Sequence, residues 1–282
     1  MRSTAYFILL ALSACTKLYA QNIENGRVFD NRFENHSKKI QLNGNVKSIK
    51  EVDSLPHYVH SYGRNKNKAF YILDWTFNPD GNYKQQLEYR DDGSLAARTV
   101  FTYNNKGQLA TVTHFDDGIE IWTDVCTVDV AGNTAKSELY FSGHSTPSGF
   151  TLVKYNKQGK IAEIQYKGHS KPLRVTTHTF DQNGNLINDE TDGSKNINKY
   201  DEHHYLIETI VYTKKGEVYL RFFYKYDQLG NQIEVKKEVN GNPGANSNIV
   251  YIYVYDSHNN WIKKTGNDGY SRTVVERSIT YY

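Results

Sequence analysis

Short apolar stretches alternate along the chain with polar segments that are rich in Gly, Asn and Asp. Residues 99–103, 208–212 and 249–255 are typical apolar stretches, composed mainly of Val, Ile, Tyr, Phe and Thr. Residues of these types favour extended backbone, whereas Gly, Asn and Asp favour reversals. The pattern therefore predicts strands joined by tight turns, in a series of antiparallel hairpins. No part of the mature chain shows a convincing helical period.

One polar segment recurs as a phrase: an aromatic residue, Asp or Asn, two polar residues, then Gly and often Asn. Asp and Asn side chains hydrogen-bond the backbone two residues ahead, and Gly accepts a positive φ, so each phrase predicts a reversal. Repetition at this interval indicates a repeat architecture. The clearest copies are residues 77–82, 103–108, 155–160, 180–185 and 226–231, with looser copies at 89–93, 128–133 and 212–216 and two that lack Gly at 200–204 and 255–260.

The period of two along a strand assigns side chains to faces. In residues 249–255 both faces are apolar, whereas near Ile161 apolar residues alternate with Glu163 and Gln165. We therefore expect the C-terminal end of the sheet to be more covered than the middle, where the alternation is that of a half-solvated sheet.

The fold class predicted is all-β, an antiparallel β-hairpin repeat meander that is rolled or folded over itself. An open twisted sheet rarely exceeds ~10 strands without curling, and this chain has room for more. The 23 Tyr, 12 Phe and 3 Trp residues offset a mean hydropathy of −0.70, so we expect aromatic packing across strands to form the core.

The phrase at residues 226–231 resembles the tyrosine-aspartate (YD) repeats of the Rhs family, and the resemblance covers about residues 70 to 282. Large members of that family wrap β-hairpins into hollow shells around a C-terminal toxin, and some relatives are cell-surface proteins associated with carbohydrate binding. Here only residues 276–282 follow the last repeat, and no Asp-Pro-rich autocleavage segment is present. The resemblance is therefore to short, exported YD-like proteins, and neither toxin delivery nor an enclosing shell is expected.

The N-terminus predicts export. Arg2 precedes an apolar run that is too short to span a bilayer, as in a secretory signal. Two processing sites fit: cleavage after Ala20, or lipidation of Cys15, which ends a lipobox-like segment after a signal of residues 1–14. The localisation is then periplasmic or secreted in the first case, and anchored to the envelope or outer membrane in the second. We divide the chain into a signal (1–20), an N-terminal capping segment (21–70) that contains one hairpin or a capping strand, and a YD-like repeat domain (71–282).

Charge and cysteine content exclude several partners. The formal net charge is +3, and cleavage after Ala20 removes Arg2 and Lys17 and leaves +1. This balance gives no reason to expect nucleic acid as a partner. A membrane is expected as a partner only if the chain carries a lipid anchor. Cys126 is expected to be a buried side chain on a strand, in a protein that does not rely on disulfides.

No catalytic or metal-binding constellation is recognised. His57 and His60 are three residues apart, which places them on opposite faces of a strand, and no zinc-like set accompanies them. Gly143 and Gly168 each precede His-Ser, yet neither segment has the spacing of a nucleophile elbow. We therefore expect no metal, no cofactor and no catalytic residues, and the repeated His-Ser segments are interpreted as turns.

The leading functional hypothesis is an exported envelope protein that acts as a binding or scaffold module for a glycan or an envelope protein. An exposed aromatic ring can stack on a sugar, so Trp75, Trp122 and Trp261 are binding candidates, although core packing is the competing interpretation of each. Two alternatives remain open. One is an envelope polysaccharide hydrolase, which needs two facing carboxylates, and the other is a purely architectural component.

Overall fold

The computed structural model describes residues 42–54, 71–90, 92–157, 159–168 and 172–282. Strands form where β-branched and aromatic residues alternate with polar ones, and the reversals between them carry residues with positive φ, mostly Gly. The described residues form β1 (Val46–Ser54), β2 (Tyr71–Phe77), β3 (Tyr83–Tyr89), β4 (Leu95–Tyr103), β5 (Leu109–Asp116), β6 (Ile119–Asp129), β7 (Thr134–Phe141), β8 (Gly149–Tyr155), β9 (Ile161–Gly168), β10 (Arg174–Phe180), β11 (Leu186–Thr191), β12 (Ser194–Tyr200), β13 (Leu206–Tyr212), β14 (Val218–Tyr226), β15 (Gln232–Val239), a 3-10 turn at Pro243–Ala245, β16 (Ser247–Tyr255), β17 (Trp261–Asn267) and β18 (Arg272–Tyr281).

These strands form one closed antiparallel sheet. Each strand pairs with its neighbours in the chain, and β1 also pairs with β18, which closes the ring. The prediction of an all-β hairpin meander that rolls over itself is confirmed. β1 lies within the segment predicted to cap the repeats, and both of its edges are paired, with β2 on one side and β18 on the other.

Because consecutive strands run antiparallel, successive turns alternate between the two ends of the closed sheet. All five of the clearest copies of the phrase lie at one end, which we call the Asx rim, and the opposite end is the far rim. On the Asx rim a register shift occurs at the aromatic residue that precedes these turns, as at Phe77, Tyr103 and Tyr226. The Asx rim consists of the turns at 78–82, 104–108, 130–133, 156–160, 181–185, 201–205, 227–231 and 256–260.

The two Asx-rim turns that lack Gly keep the same backbone. His204 and Asn259 occupy the position that Gly takes elsewhere, with φ of 67° and 62°. Asn is among the residues that tolerate this left-handed conformation.

The apolar core fills one half of the closed sheet. One cluster of buried side chains extends from β1 through β9, and it includes Phe77 and Ile161, which are 1% and 0% exposed. Cys126 is part of this core, as expected. In contrast, the only buried hydrophobic side chains between Arg174 and Asn267 are Leu186 and Ile210.

The inward face of β10–β12 is polar, whereas that of β14–β16 carries half-buried aromatic and aliphatic side chains. Thr176 pairs with Ile164, which packs against the core, and the same face continues across β11 and β12 through Asp189 and Asn196. These inward side chains are half-buried. Most fully buried apolar side chains therefore lie on β1–β9, and the interior of the other half holds half-buried polar, aromatic and charged side chains.

The expectation that the C-terminal end of the sheet is more covered than the middle was wrong at residues 249–255. Tyr251 and Tyr253 face inward, but Val250, Ile252 and Val254 face outward and are 45%, 68% and 49% exposed. A single closed sheet has one interior, and no second layer of described residues packs on the outside of β16. Near Ile161 the predicted alternation is confirmed, since Glu163 faces outward and forms an ion pair with Lys154.

Candidate binding cavity at the Asx rim

In the rim turns at 181–185, 201–205, 227–231 and 256–260, the first residue is an Asp whose carboxylate organises the turn. Asp227 Oδ1 accepts hydrogen bonds from the backbone N–H groups of Leu229 and Asn231 at 2.9 and 2.8 Å. Asp256 Oδ1 accepts in the same way from His258 and Asn260, both at 2.9 Å. The bond from the residue two ahead is the one that the sequence predicted, and the bond from the residue four ahead is an addition.

A tyrosine from the next hairpin binds the other oxygen of each carboxylate. The hydroxyl of Tyr255 donates to Asp227 Oδ2, and that of Tyr281 donates to Asp256 Oδ2. Burial alone would raise the pKa of Asp227, but the bonds from Tyr255 and the turn amides outweigh it and hold the pKa below its usual range. Burial and the neighbouring carboxylate raise the pKa of Tyr281 to about 12. Neighbouring turns are therefore locked together along this rim.

The segment before β1 is hydrogen-bonded to the same rim by the side-chain amide of Asn260. Asn260 is 2% exposed; its Oδ1 accepts from the backbone N–H of Asn43 at 2.7 Å, and its Nδ2 donates to the backbone oxygen of Asn43 at 2.8 Å. The same Nδ2 lies 2.7 Å from the hydroxyl of Tyr281. This pairing places residues 42–45 beside the turns at 227–231 and 256–260.

A cavity of about 380 Å³ opens between these turns. Its lining combines side-chain amides with two aromatic rings and one guanidinium. The lining residues are Leu42, Asn43, Tyr205, Gln228, Leu229, Asn231, Asn259, Asn260, Trp261 and Arg277.

Arg277 joins this cavity to a charged cluster in the interior. Its Nε donates to Glu51 Oε2 at 2.9 Å, and its guanidinium carbon lies 3.3 Å from the centre of the Trp261 ring. The Arg277 side chain is 16% exposed, so the ion pair is largely shielded from solvent. Burial lowers the pKa of Arg277 and Glu51 opposes that shift, so the guanidinium remains a cation.

Lys264 and Asp53 complete the cluster. Lys264 Nζ lies 4.1 Å from the centre of the Tyr251 ring, in the geometry of a cation–π contact. Burial, followed by repulsion from Arg277, lowers the pKa of Lys264. Burial, followed by repulsion from Glu51, raises the pKa of Asp53. Both shifts favour the neutral form of the group concerned.

The structure places the three predicted tryptophans in different surroundings. Trp261 lines the rim cavity. Trp75 packs against the core, with its ring centre 5.1 Å from that of Tyr83. Trp122 is 4% exposed and stacks on His114 at 5.2 Å, inside the core. Cys15, His57 and His60 lie outside the described residues.

Sequence reasoning did not single out Arg277, Tyr205 or Gln228. The rim amides were recognised only as turn residues. The sequence did contain an indication for Arg277, which shares a strand face with Val275 and Ile279. A cation on an apolar inward face indicates either a buried ion pair or a functional site.

Two further searches of the described ranges were negative. They contain no group of three or more His, Cys, Asp or Glu side chains placed to bind a metal ion. Within these ranges, no helix has the length and hydropathy needed to cross a bilayer.

Comparison with known proteins yields distant structural similarity alone. No protein-family model and no curated protein sequence matches the chain. A porin-like protein from Bacteroides uniformis is similar with a TM-score of 0.45 and 9% identity, over 84% of this chain and 98% of that one. A porin-like protein from Bacteroides vulgatus is similar with a TM-score of 0.36 and 13% identity, over 84% of this chain and 98% of that one. A chain of the TcdB2-TccC3-Cdc42 complex is similar with a TM-score of 0.32 and 12% identity, over 72% of this chain and 16% of that one. These similarities are too distant to support a functional argument.

Proposed function

We propose that this chain is an exported protein of the cell envelope that acts as a binding module, and that the Asx-rim cavity holds a glycan. The observation that carries the proposal is the lining of that cavity, where side-chain amides surround Trp261, Tyr205 and Arg277. Amides donate and accept hydrogen bonds, as sugar hydroxyls do, and aromatic rings supply an apolar contact.

The cavity is also built to keep its shape. Asp227 and Asp256 fix its turns, Asn260 fixes the segment before β1, and Tyr205 stacks on Tyr226 with ring centres 5.0 Å apart. A preorganised site loses less conformational entropy when it binds, which favours recognition of a weakly interacting polar ligand.

The same lining supports binding over hydrolysis. Glycoside hydrolysis by paired carboxylates needs two Asp or Glu side chains, about 5 to 9.5 Å apart, that face the substrate. The ten described residues that line the cavity include no carboxylate. Glu51 lies behind Arg277 and is engaged by its Nε.

The architectural alternative has an observation of its own. Val250, Ile252 and Val254 form an exposed apolar stripe on the outside of β16, away from the cavity. If self-association through this stripe is the role, Ile252→Lys should convert an oligomer to a monomer in sedimentation velocity without changing glycan binding.

Export rests on the N-terminal sequence. The intact mass of the mature protein from its native envelope distinguishes the two processing sites. A chain that begins at a diacylated Cys15 is an anchored lipoprotein, and one that begins at Gln21 is periplasmic or secreted.

The test of the glycan proposal uses two equivalent glutamines. Gln228 and Gln182 both follow the first Asp of an Asx-rim turn and both are exposed, but only Gln228 lines the cavity. On a glycan array, wild-type protein should bind at least one glycan; Gln228→Ala should weaken that binding by roughly 3- to 10-fold, the effect of losing one or two hydrogen bonds, and Gln182→Ala should leave it unchanged. Equal effects of the two substitutions, or no bound glycan, would refute the proposal.

A further inference from the structure

We infer that the glycan bound at the Asx rim carries a carboxylate, and that this group binds the terminal nitrogens of Arg277. The inference rests on the proposed function and adds the chemical class of the ligand. It follows from how the guanidinium is used by the residues around it.

Arg277 brings more donors to the cavity than its surroundings use. A guanidinium has five N–H donors, of which one belongs to Nε and four to the two terminal nitrogens. Glu51 accepts from Nε, and Trp261 lies against a face of the group, where it offers no hydrogen-bond acceptor. Within the part of the chain that the structure describes, neither terminal nitrogen donates a hydrogen bond.

The surroundings of Arg277 would strengthen a bond to an anion. The Arg277 side chain is 16% exposed, so the group is largely shielded from solvent. Charge-assisted hydrogen bonds are strongest in such a site. An anion at the terminal nitrogens would accept from donors that the Glu51 carboxylate does not engage.

A carboxylate fits this group. Its two oxygens match the planar fork of one guanidinium, a fork that a lysine ammonium could not provide. The cavity is otherwise lined by amides and rings, which suit the hydroxyls and the ring of the sugar that bears the acid. The class of ligand is therefore a saccharide with a uronic or other sugar-acid residue.

The experiment compares each acidic glycan with the uncharged methyl ester of the same glycan. Oligosaccharides that contain uronic or sialic acids are printed both as free acids and as methyl esters, next to neutral oligosaccharides, and probed with the full mature protein. We expect wild-type protein to prefer the free acid by roughly 10- to 100-fold over the ester, the effect of one charge-assisted pair of hydrogen bonds. Arg277→Lys keeps the charge but removes the fork, and it should lose most of this preference.

The outcomes separate the two proposals. Equal binding of acid and ester, or a preference for neutral glycans, would overturn the carboxylate assignment and leave the glycan proposal intact. No binding to any glycan would overturn both. If Arg277→Lys does not fold, the acid-to-ester ratio of wild-type protein still decides, and Gln228→Ala must reduce the binding of the acid while Gln182→Ala does not.

Discussion

The two halves of the closed sheet share one hairpin plan but differ in what fills them. Phe77 and Phe180 both precede an Asx-rim turn and both pair across a register shift, yet Phe77 is 1% exposed in the core and Phe180 is only half-buried. The first half therefore supplies most of the apolar burial, while the second half, together with β18 and β1 at the closing seam, presents the charged cluster and the rim cavity. A repeat can thus fix where strands and turns lie and leave the inward side chains free to serve stability in one region and recognition in another.

The largest expected effect tests the core directly. Phe77→Ala should lower the free energy of unfolding by about 3 to 5 kcal/mol, because it removes a fully buried ring and leaves a cavity. Phe180→Ala, at the equivalent turn position, should cost less than about half as much, since its ring is partly hydrated in the folded state. Urea unfolding followed by tryptophan fluorescence measures both, and equal losses would contradict the proposed difference between the halves.

The next effect concerns the tyrosines that bind across hairpins. Tyr255→Phe removes a hydrogen bond to the carboxylate of Asp227 and should cost about 1.5 to 3 kcal/mol. Tyr103→Phe is the matched change in the first half, where the hydroxyl donates to the backbone oxygen of Tyr83 at 2.7 Å, and it should cost about 0.5 to 1.5 kcal/mol. If Tyr103→Phe proves the more costly of the two, the rim carboxylates do not anchor their neighbours as described.

Acid should weaken the second half selectively, since its rim turns begin with Asp whereas Asn104 and Asn156 begin the equivalent turns of the first half. The folded-state pKa values of Asp227 and Asp256 lie below the ordinary 3.8, although burial opposes this, because hydrogen bonds favour the charged form. A depressed pKa stabilises the fold above about pH 4, and that contribution is lost as the pH falls through the folded-state value. The loss should be about 1 kcal/mol or less for each carboxylate after solvent screening.

Unfolding free energies measured from pH 6 down to pH 2.5 check this prediction. The double variant Asp227→Asn and Asp256→Asn should be less stable at pH 6 and should show a flatter decline with acid than the wild-type protein. A decline as steep as that of the wild type would assign the acid sensitivity to other groups.

The smallest effect concerns the turns that lack Gly. Asn259 has a φ of 62° where Gly107 has 72°, so Asn259→Gly should change the free energy of unfolding by less than about 0.5 kcal/mol. Asn259→Ala should cost about 1 kcal/mol, because alanine has no local hydrogen bond to support the left-handed backbone. Thermal unfolding compares the two, and an alanine variant as stable as the glycine variant would show that this turn relaxes.

Much of the fold was predictable because it depends on local rules. The turn phrase specifies a reversal wherever it occurs, and the aromatic that precedes it specifies an inward ring, so the hairpins could be placed from residues 77–82 or 226–231 alone. That the sheet rolls or folds over itself was expected from the number of strands, but its closure through the pairing of β1 with β18 was not. The exposure of Ile252 was not expected either, because alternation along a strand cannot tell which of two apolar faces has a partner.

The candidate site was harder to predict because it depends on long-range pairing. Asn43 and Asn260 are far apart in the chain and meet only after β1 pairs with β18. Arg277 and Glu51 meet across that same strand pair. Of the three tryptophans proposed from composition, only Trp261 lines the cavity, and composition held no information that could separate it from Trp75 and Trp122.

The most direct test of the central claim is amide hydrogen exchange, resolved along the chain, on the ligand-free mature protein. If the first half carries the stability and the second half carries the site, the amides of β3–β8 should exchange slowest, at rates set by global unfolding, and those of β10–β15 should exchange markedly faster. Uniform protection around the ring, or slower exchange in β10–β15, would contradict the division of the sheet into a stabilising half and a binding half.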